Sequence, residues 1–142
     1  MSISQIVPLR IYNQTAYTLV AETNFSNHYS FYTEKSTKPI LARRLFVTLG
    51  GQHQLANLRG LGFRTFGDVI DESYDVELND FERMLKVIKE IKKISQLNDT
   101  EVKEFIRNVS PIVKYNQVVM LDKVRRSSIH LSTYKPFVHR TL

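Results

Sequence analysis

The chain has 142 residues, 42% of them hydrophobic, which suffices for one packed domain and argues against wholesale disorder. It contains no cysteine, which excludes a disulfide framework, a thiolate metal site and a cysteine nucleophile, and fits a reducing, cytoplasmic setting. The net charge of +6 is unevenly placed: the first 122 residues carry +1 and the last twenty +5, so the basicity belongs to a tail rather than to a folded body.

No apolar run approaches the ~20 residues of a membrane span. Met1–Arg10 lacks the apolar core of a signal peptide, so the chain reads as neither secreted nor membrane-spanning.

In chain order, Tyr17–Ala21 (YTLVA) is a short apolar run with the β-branched content of a strand. Polar residues Glu22–Ser30 follow as a loop, and Thr33–Glu34–Lys35 precedes a short helix over Ser36–Arg43. Pro39 is awkward inside that helix unless it falls in the first turn, where a missing N–H costs little. Leu45–Leu49 (LFVTL) is the best strand, closed by Gly50–Gly51. Gln52–Arg59 reads as a short helix, with Leu55 and Leu58 on one side and Gly60 and Gly62 at its end. Phe63–Ile70 reads as mixed, a short strand and turn, and Asp71–Asp75 (DESYD) as an acidic loop.

Two longer helices follow. Asn79 with Glu82 has the spacing of a capping box, after which Phe81, Met84, Leu85, Ile88, Ile91 and Ile94 mark one apolar face. Asn98 with Glu101 repeats the start signal, and Val102, Phe105, Ile106, Val109 and Val113 mark the second face. Pro111 predicts a kink or an end, with further helix from Val113 to Val124. Strands alternating with helices argue an α/β fold: a small Rossmann-like parallel sheet, flanking helices and a helical C-terminal extension. The domain boundary falls at 122, with residues 123–142 as a basic tail.

Thr33–Glu34–Lys35, where a loop enters a helix, suits a carboxylate that holds a ribose diol beside a cation that meets phosphate. The same residues also make an ordinary exposed helix start with Thr33 as N-cap. The surrounding blocks add to this. Tyr17-Thr-Leu-Val-Ala-Glu22, Phe31-Tyr-Thr-Glu-Lys35 and Phe46-Val-Thr-Leu-Gly50 resemble the fucosyltransferase pattern. There a strand ends in Glu-Asn-Ser, a Tyr-x-Thr-Glu-Lys box opens a helix, and a strand of Pro-Val-x-x-Gly type follows; exostosin-like transferases look similar. A group of largely phage-encoded transferase-like proteins is closer. Its Thr-Glu-Lys-Thr-x-Lys-Pro, Pro-Phe-Ile-x-x-Gly, Leu-x-x-Leu-Gly-Phe-x-Thr-Phe and Asp-Glu-Ser-Tyr-Asp blocks match four stretches of this chain. These are Thr33–Pro39, Leu45–Gly50, Leu58–Phe66 and Asp71–Asp75. The resemblance runs from about Tyr12 to Gln117.

The resemblance implies the C-terminal, donor-nucleotide half of a GT-B glycosyltransferase, so that residues 1–122 would be a Rossmann-like donor-binding half-domain. Carried over residue by residue, Glu34 would take the ribose hydroxyls of a nucleotide-sugar and Lys35 its pyrophosphate, with Glu22 and Phe31 near the donor. No cofactor beyond that donor substrate is implied. The chain departs from the pattern where Phe31 lacks the aromatic hydroxyl and Thr23 replaces an asparagine. It departs again where Arg43-Arg44-Leu45 replaces Gly-Lys-Pro, leaving two arginines either to crowd the phosphate site or to bind phosphate. A GT-B enzyme carries its acceptor site, and usually its base, on an N-terminal domain. Only about sixteen residues precede Tyr17, so no catalytic residue is assigned and the open cleft face is expected to meet a second copy or another chain.

The four histidines show no metal-ligand spacing, and Asp71, Glu72 and Asp75 read as a solvated loop before a divalent-ion site. The tail interleaves cations with apolar residues: Arg125, Arg126, Tyr134, Lys135, Phe137 and Arg140 are its candidate contacts for an acidic protein or RNA. Two functions follow. One is a nucleotide-sugar-binding, glycosyltransferase-like domain, and the other is a non-enzymatic interaction protein acting through cleft face and tail.

Overall fold

β1 (Tyr17–Ala21) and β2 (Leu45–Leu49) lie parallel, with Tyr17 opposite Leu45 and Ala21 opposite Leu49. They form the sheet of a computed structural model that describes residues 6–26, 29–30 and 32–132, the last five by backbone only. Around them, in chain order, stand α1 (Leu9–Asn13), α2 (Glu34–Leu41), α3 (Gln54–Gly60), a 3-10 turn (Ser73–Val76), α4 (Asp80–Ser95) and α5 (Asp99–Ser132). The fold is mixed α/β, as expected, with two parallel strands among the described residues. Both strands keep their expected bounds, while residues 63–70 turn without forming a strand. No helix among the described residues is long and apolar enough to cross a membrane.

β2 is the centre of the core. Its first four residues are buried, the pattern of a parallel strand covered on both faces. β1 is less covered: Val20 is buried but Leu19 stands 48% exposed. α2 packs on both strands and on α5, while α4 packs on β2. Phe46 and Phe66 are fully buried and meet edge to face, 5.1 Å between centroids. That geometry contributes about 1 kcal/mol beyond the area it buries.

α3 ends as its glycines predict. Gly62 takes φ +90° and donates to the Arg59 carbonyl at 2.8 Å, while Phe63 N–H reaches the Leu58 carbonyl at 3.3 Å and its ring enters the core. α2 ends in the same way without a glycine. Arg43 sits at φ 54°, its N–H on the Ile40 carbonyl (3.2 Å) and the Arg44 N–H on that of Pro39 (2.8 Å). A left-handed non-glycine residue costs about 1 kcal/mol. The side chain offsets this: Arg43 Nε donates to Gln117 Oε1 at 2.6 Å, and Gln117 Nε2 to the Leu41 carbonyl at 2.7 Å, tying α2 to α5.

α1 is not expected from the sequence and α3 starts two residues later than Gln52; the other three helices also differ from the sequence reading. α2 begins at Glu34 rather than Ser36, so Pro39 lies in its second turn and not its first. α5 is not ended by Pro111; it runs unbroken past the expected boundary at 122, with Pro111 on its exposed side. The carbonyl that Pro111 leaves without a helical donor belongs to Arg107, also exposed.

α4 is the largest correction. Its buried residues are Arg83, Val87, Glu90 and Ile94, while Phe81, Leu85 and Ile88 of the expected apolar face are 59%, 41% and 39% exposed. At 3.6 residues per turn, the helix is seated roughly 100° away from the centre of its apolar arc. Arg83 fixes that rotation. Its Nε donates to the Gly50 carbonyl at 3.0 Å and its terminal nitrogens to the carbonyls of Glu77 (2.8 Å) and Phe25 (2.6 Å) and to Asp80 Oδ1 (2.5 Å). The guanidinium also lies 4.8 Å from the Phe25 ring centroid. Hydrophobic periodicity cannot register a buried cation that binds backbone.

Candidate functional site

The carboxyl ends of β1 and β2 open onto the start of α2, the place where open α/β sheets hold ligands. Thr33 caps α2, its Oγ1 accepting from Lys35 N–H at 3.2 Å. That hydroxyl also donates to Glu22 Oε2 at 2.9 Å, and Ser36 Oγ donates to Glu22 Oε1 at 2.6 Å. The buried Glu22 carboxylate therefore occupies the anion position at the helix start, clamping α2 to β1. It is a positioning residue, engaged before any ligand arrives.

Glu34 and Lys35 stand next to it and differ in kind. Both are exposed. Lys35 Nζ donates to Thr23 Oγ1 at 3.0 Å, across the mouth of the β1 loop. The Glu34 carboxylate makes no hydrogen bond or ion pair among the described residues. Together with Lys38 they form one wall of a groove of about 420 Å³ that follows β1, with Tyr12, Leu19 and Val20 on its apolar side. Burial raises the Tyr12 phenol pKa above its ordinary value. Small-molecule sites occupy roughly 300–1,000 Å³, so the groove is of ligand size. Phe31 lies outside the described residues.

Arg43 and Arg44 are not brought to this site. They stand at the amino end of β2, with the eight residues of α2, about 12 Å of helix, between them and Glu34. Arg44 Nε donates to the Tyr12 carbonyl at 2.5 Å and its terminal nitrogen to Asn13 Oδ1 at 3.1 Å, pinning α1. Arg43 is held by Gln117. Both serve packing, on the rim of a cavity of about 140 Å³ floored by Leu45, Phe105, Val109 and Val113.

The acidic stretch Asp71–Asp75 is not a solvated loop throughout. Of its three acids only Asp71 faces outward, accepting from Ser73 N–H at 2.9 Å, which holds its pKa below the ordinary value. Glu72 reaches back to Thr65 Oγ1 (2.8 Å), Phe66 N–H (2.6 Å) and Arg59 (3.2 Å). Burial nevertheless pushes its pKa up, outweighing those bonds. Asp75 is buried and accepts from the N–H groups of Leu55 (2.7 Å) and Ala56 (2.9 Å), capping α3 from outside the helix. The stretches Leu58–Phe66 and Asp71–Asp75 thus grip one another. The signal was present in the spacing of acids after an α-helix with no capping residue of its own, since His53 precedes α3 without a side-chain cap bond.

Sequence reasoning also passed over Tyr32. Its hydroxyl donates to the Gln54 carbonyl at 2.5 Å, fixing the loop ahead of α2 to the start of α3, and burial leads the causes that push its pKa up to about 12. Among the described residues no group of three or more His, Asp or Glu side chains is placed to hold a metal ion. Arg125 and Arg126 lie on α5, where every residue from Leu121 to Ser127 is exposed, and Arg126 pairs with Asp122 at 2.8 Å. Tyr134, Lys135, Phe137 and Arg140 fall outside the described residues. Comparison with protein-family models, curated proteins and solved structures yields no match to the chain.

Proposed function

We propose that the chain is a nucleotide-sugar-binding, glycosyltransferase-like domain whose donor lies in the groove along β1. One observation carries this reading. A groove of ligand size at the carboxyl edge of a parallel sheet has an uncommitted carboxylate, Glu34, and two lysines, Lys35 and Lys38, along the same wall. Glu34 accepts the ribose hydroxyls, the lysines meet the pyrophosphate, and the base lies along Tyr12 and Leu19. Glu22 contributes only by holding the start of α2 in place.

The test is a titration of the chain with uridine, guanosine, adenosine and cytidine diphosphates, read by thermal unfolding. Ligand at 100 times its dissociation constant adds about 2.7 kcal/mol. Glu34→Ala removes no internal bond, so it should keep the fold while losing at least tenfold in affinity, about 1.4 kcal/mol. No shift with any nucleotide at millimolar concentration would refute the reading. Unaltered binding by Glu34→Ala and Lys35→Ala would refute the roles.

A second reading, a non-enzymatic protein that binds an acidic protein or RNA, is favoured by the exposed basic end of α5, where Arg125 and Arg126 stand on a helix clear of the core. Deletion of residues 125–142 should then leave the thermal midpoint nearly unchanged while weakening a salt-sensitive association. A truncation that unfolds the domain rules this reading out.

A further inference from the structure

Among the described residues no element covers the outward, apolar face of α4. Phe81, Leu85 and Ile88 lie within about 60° of one another around the helix axis, and Leu78, just ahead of the helix, is 76% exposed. This is the face that the helix would bury if hydrophobicity alone set its rotation, and Arg83 holds it turned outward. We propose that it is the contact surface of a homodimer in which α4 packs antiparallel against α4 of a second copy, about a two-fold axis at Leu85.

Charge selects that occupant. On the same flank of the stripe stand Glu82, three residues before Leu85, and Lys89, four residues after it, separated by about 20° around the axis. Antiparallel packing brings the same flank of the two helices together, so Glu82 of one copy faces Lys89 of the other, twice per dimer. The apolar residues follow the same arithmetic: Phe81 meets Ile88, Leu85 meets Leu85, and Leu78 lies under the aliphatic stem of Lys92. The pattern is self-complementary under a two-fold operation, which is the requirement for an isologous interface. Neither charge is paired among the described residues. Glu82 makes no side-chain hydrogen bond or ion pair among the described residues, and Lys89 interacts with Asp71 only through its field. A parallel arrangement would set the flank of Glu82 and Lys89 against the opposite flank, that of Met84 and Ile91, leaving both charges without a partner. A uniformly anionic surface would leave Glu82 facing like charge. This inference is independent of the nucleotide groove, which lies along β1.

Sedimentation equilibrium of the full chain tests it. A single two-helix contact falls at the small end of interface sizes, so association in roughly the micromolar range is expected. Glu82→Lys and Lys89→Glu should each raise the dimer dissociation constant about tenfold, and the double variant should return it to within about threefold of wild type. Residues 82 and 89 do not touch within one helix, so recovery reports contact between copies. Leu85→Asp should abolish the dimer while keeping the folded circular dichroism spectrum. Because the chain has no cysteine, Leu85→Cys should give a disulfide-linked dimer on mild oxidation, and Glu104→Cys should not. A wild-type chain that stays monomeric at about 100 μM, a concentration well above the expected micromolar constant, or a dimer indifferent to Leu85→Asp, would overturn the proposal. So would a double charge reversal that fails to recover. A monomer that instead sediments with anionic phospholipid vesicles would assign the stripe to a membrane surface and equally overturn it.

Discussion

Replacing Arg83 by methionine tests whether one buried cation sets the rotation of α4. The side chain is 3% exposed and makes four donor contacts, three of them to backbone carbonyls. Hydrogen bonds to a charged group contribute about 1.5–3 kcal/mol each, a gross gain of roughly 6–12 kcal/mol. Desolvating the guanidinium takes back several kcal/mol. Methionine fills similar volume but strands the carbonyls of Phe25, Gly50 and Glu77, so the expected net loss is about 3–5 kcal/mol. Against a total stability of about 5–15 kcal/mol, that leaves a marginal fold. Arg83→Lys keeps the charge without the planar fork and should lose about 2 kcal/mol. Urea unfolding followed by circular dichroism measures both. A second probe reads the rotation itself. The thiol introduced by Ile88→Cys should react rapidly with a maleimide while Arg83 is present, and slowly in the Arg83→Met background if the apolar arc turns inward. An Arg83→Met midpoint within about 1 kcal/mol of wild type, with that thiol still reactive, would refute the reasoning.

Two further perturbations address the acidic clamp. Asp75→Ala leaves the Leu55 and Ala56 N–H groups buried without an acceptor and should cost about 3 kcal/mol in chemical unfolding, with Asp75→Asn recovering about half because one oxygen remains. Glu72 has a folded-state pKa above its unfolded value, so the folded state binds the extra proton. Its contribution is then present below the ordinary glutamate pKa of about 4.3 and declines as pH rises through the raised value. The stability of wild type relative to Glu72→Gln should fall as pH rises above about 4.3; a difference that is flat or rising there would be inconsistent with burial as the dominant cause.

The strands were legible because each fact about them is local. Leu45–Leu49 carries β-branched and aromatic residues closed by glycines, and its burial on both faces agrees with its nearly continuous apolar run. The Thr33 cap was legible for the same reason, since the hydroxyl binds an amide two residues on. What escaped depends on residues far apart in the chain. Glu22 reaches across eleven and fourteen positions to Thr33 and Ser36, which moves the start of α2. Asp75 caps a helix twenty residues earlier. Arg83 finds Phe25, 58 residues away, and so overrides the apolar face of its own helix. Of the candidate site, Glu34 and Lys35 could be named from sequence. Their separation from Arg43 and Arg44 was implicit in the expected helix over Ser36–Arg43, which puts the two arginines at its far end.

α5 is held to the body near its middle. Asn116 grips the Arg64 backbone through two bonds of 2.8 Å, and Gln117 grips Leu41 and Arg43. From Gln117 to Ser132 the same helix continues for about 22 Å at 1.5 Å per residue. Its part beyond Lys123, the last residue seen against the body, therefore acts as a stiff spacer. A load taken up by Arg125 or Arg126 is transmitted first to Lys123 over the Phe63 ring and to Met120 and Val119 on the core, then to Asn116 and Gln117 and the two loops that follow α2 and α3. Among the described residues no direct hydrogen bond carries it to the carboxyl edge of the sheet. Engagement at the far end of the rod and occupancy of the β1 groove should consequently be additive in free energy, within about 0.5 kcal/mol.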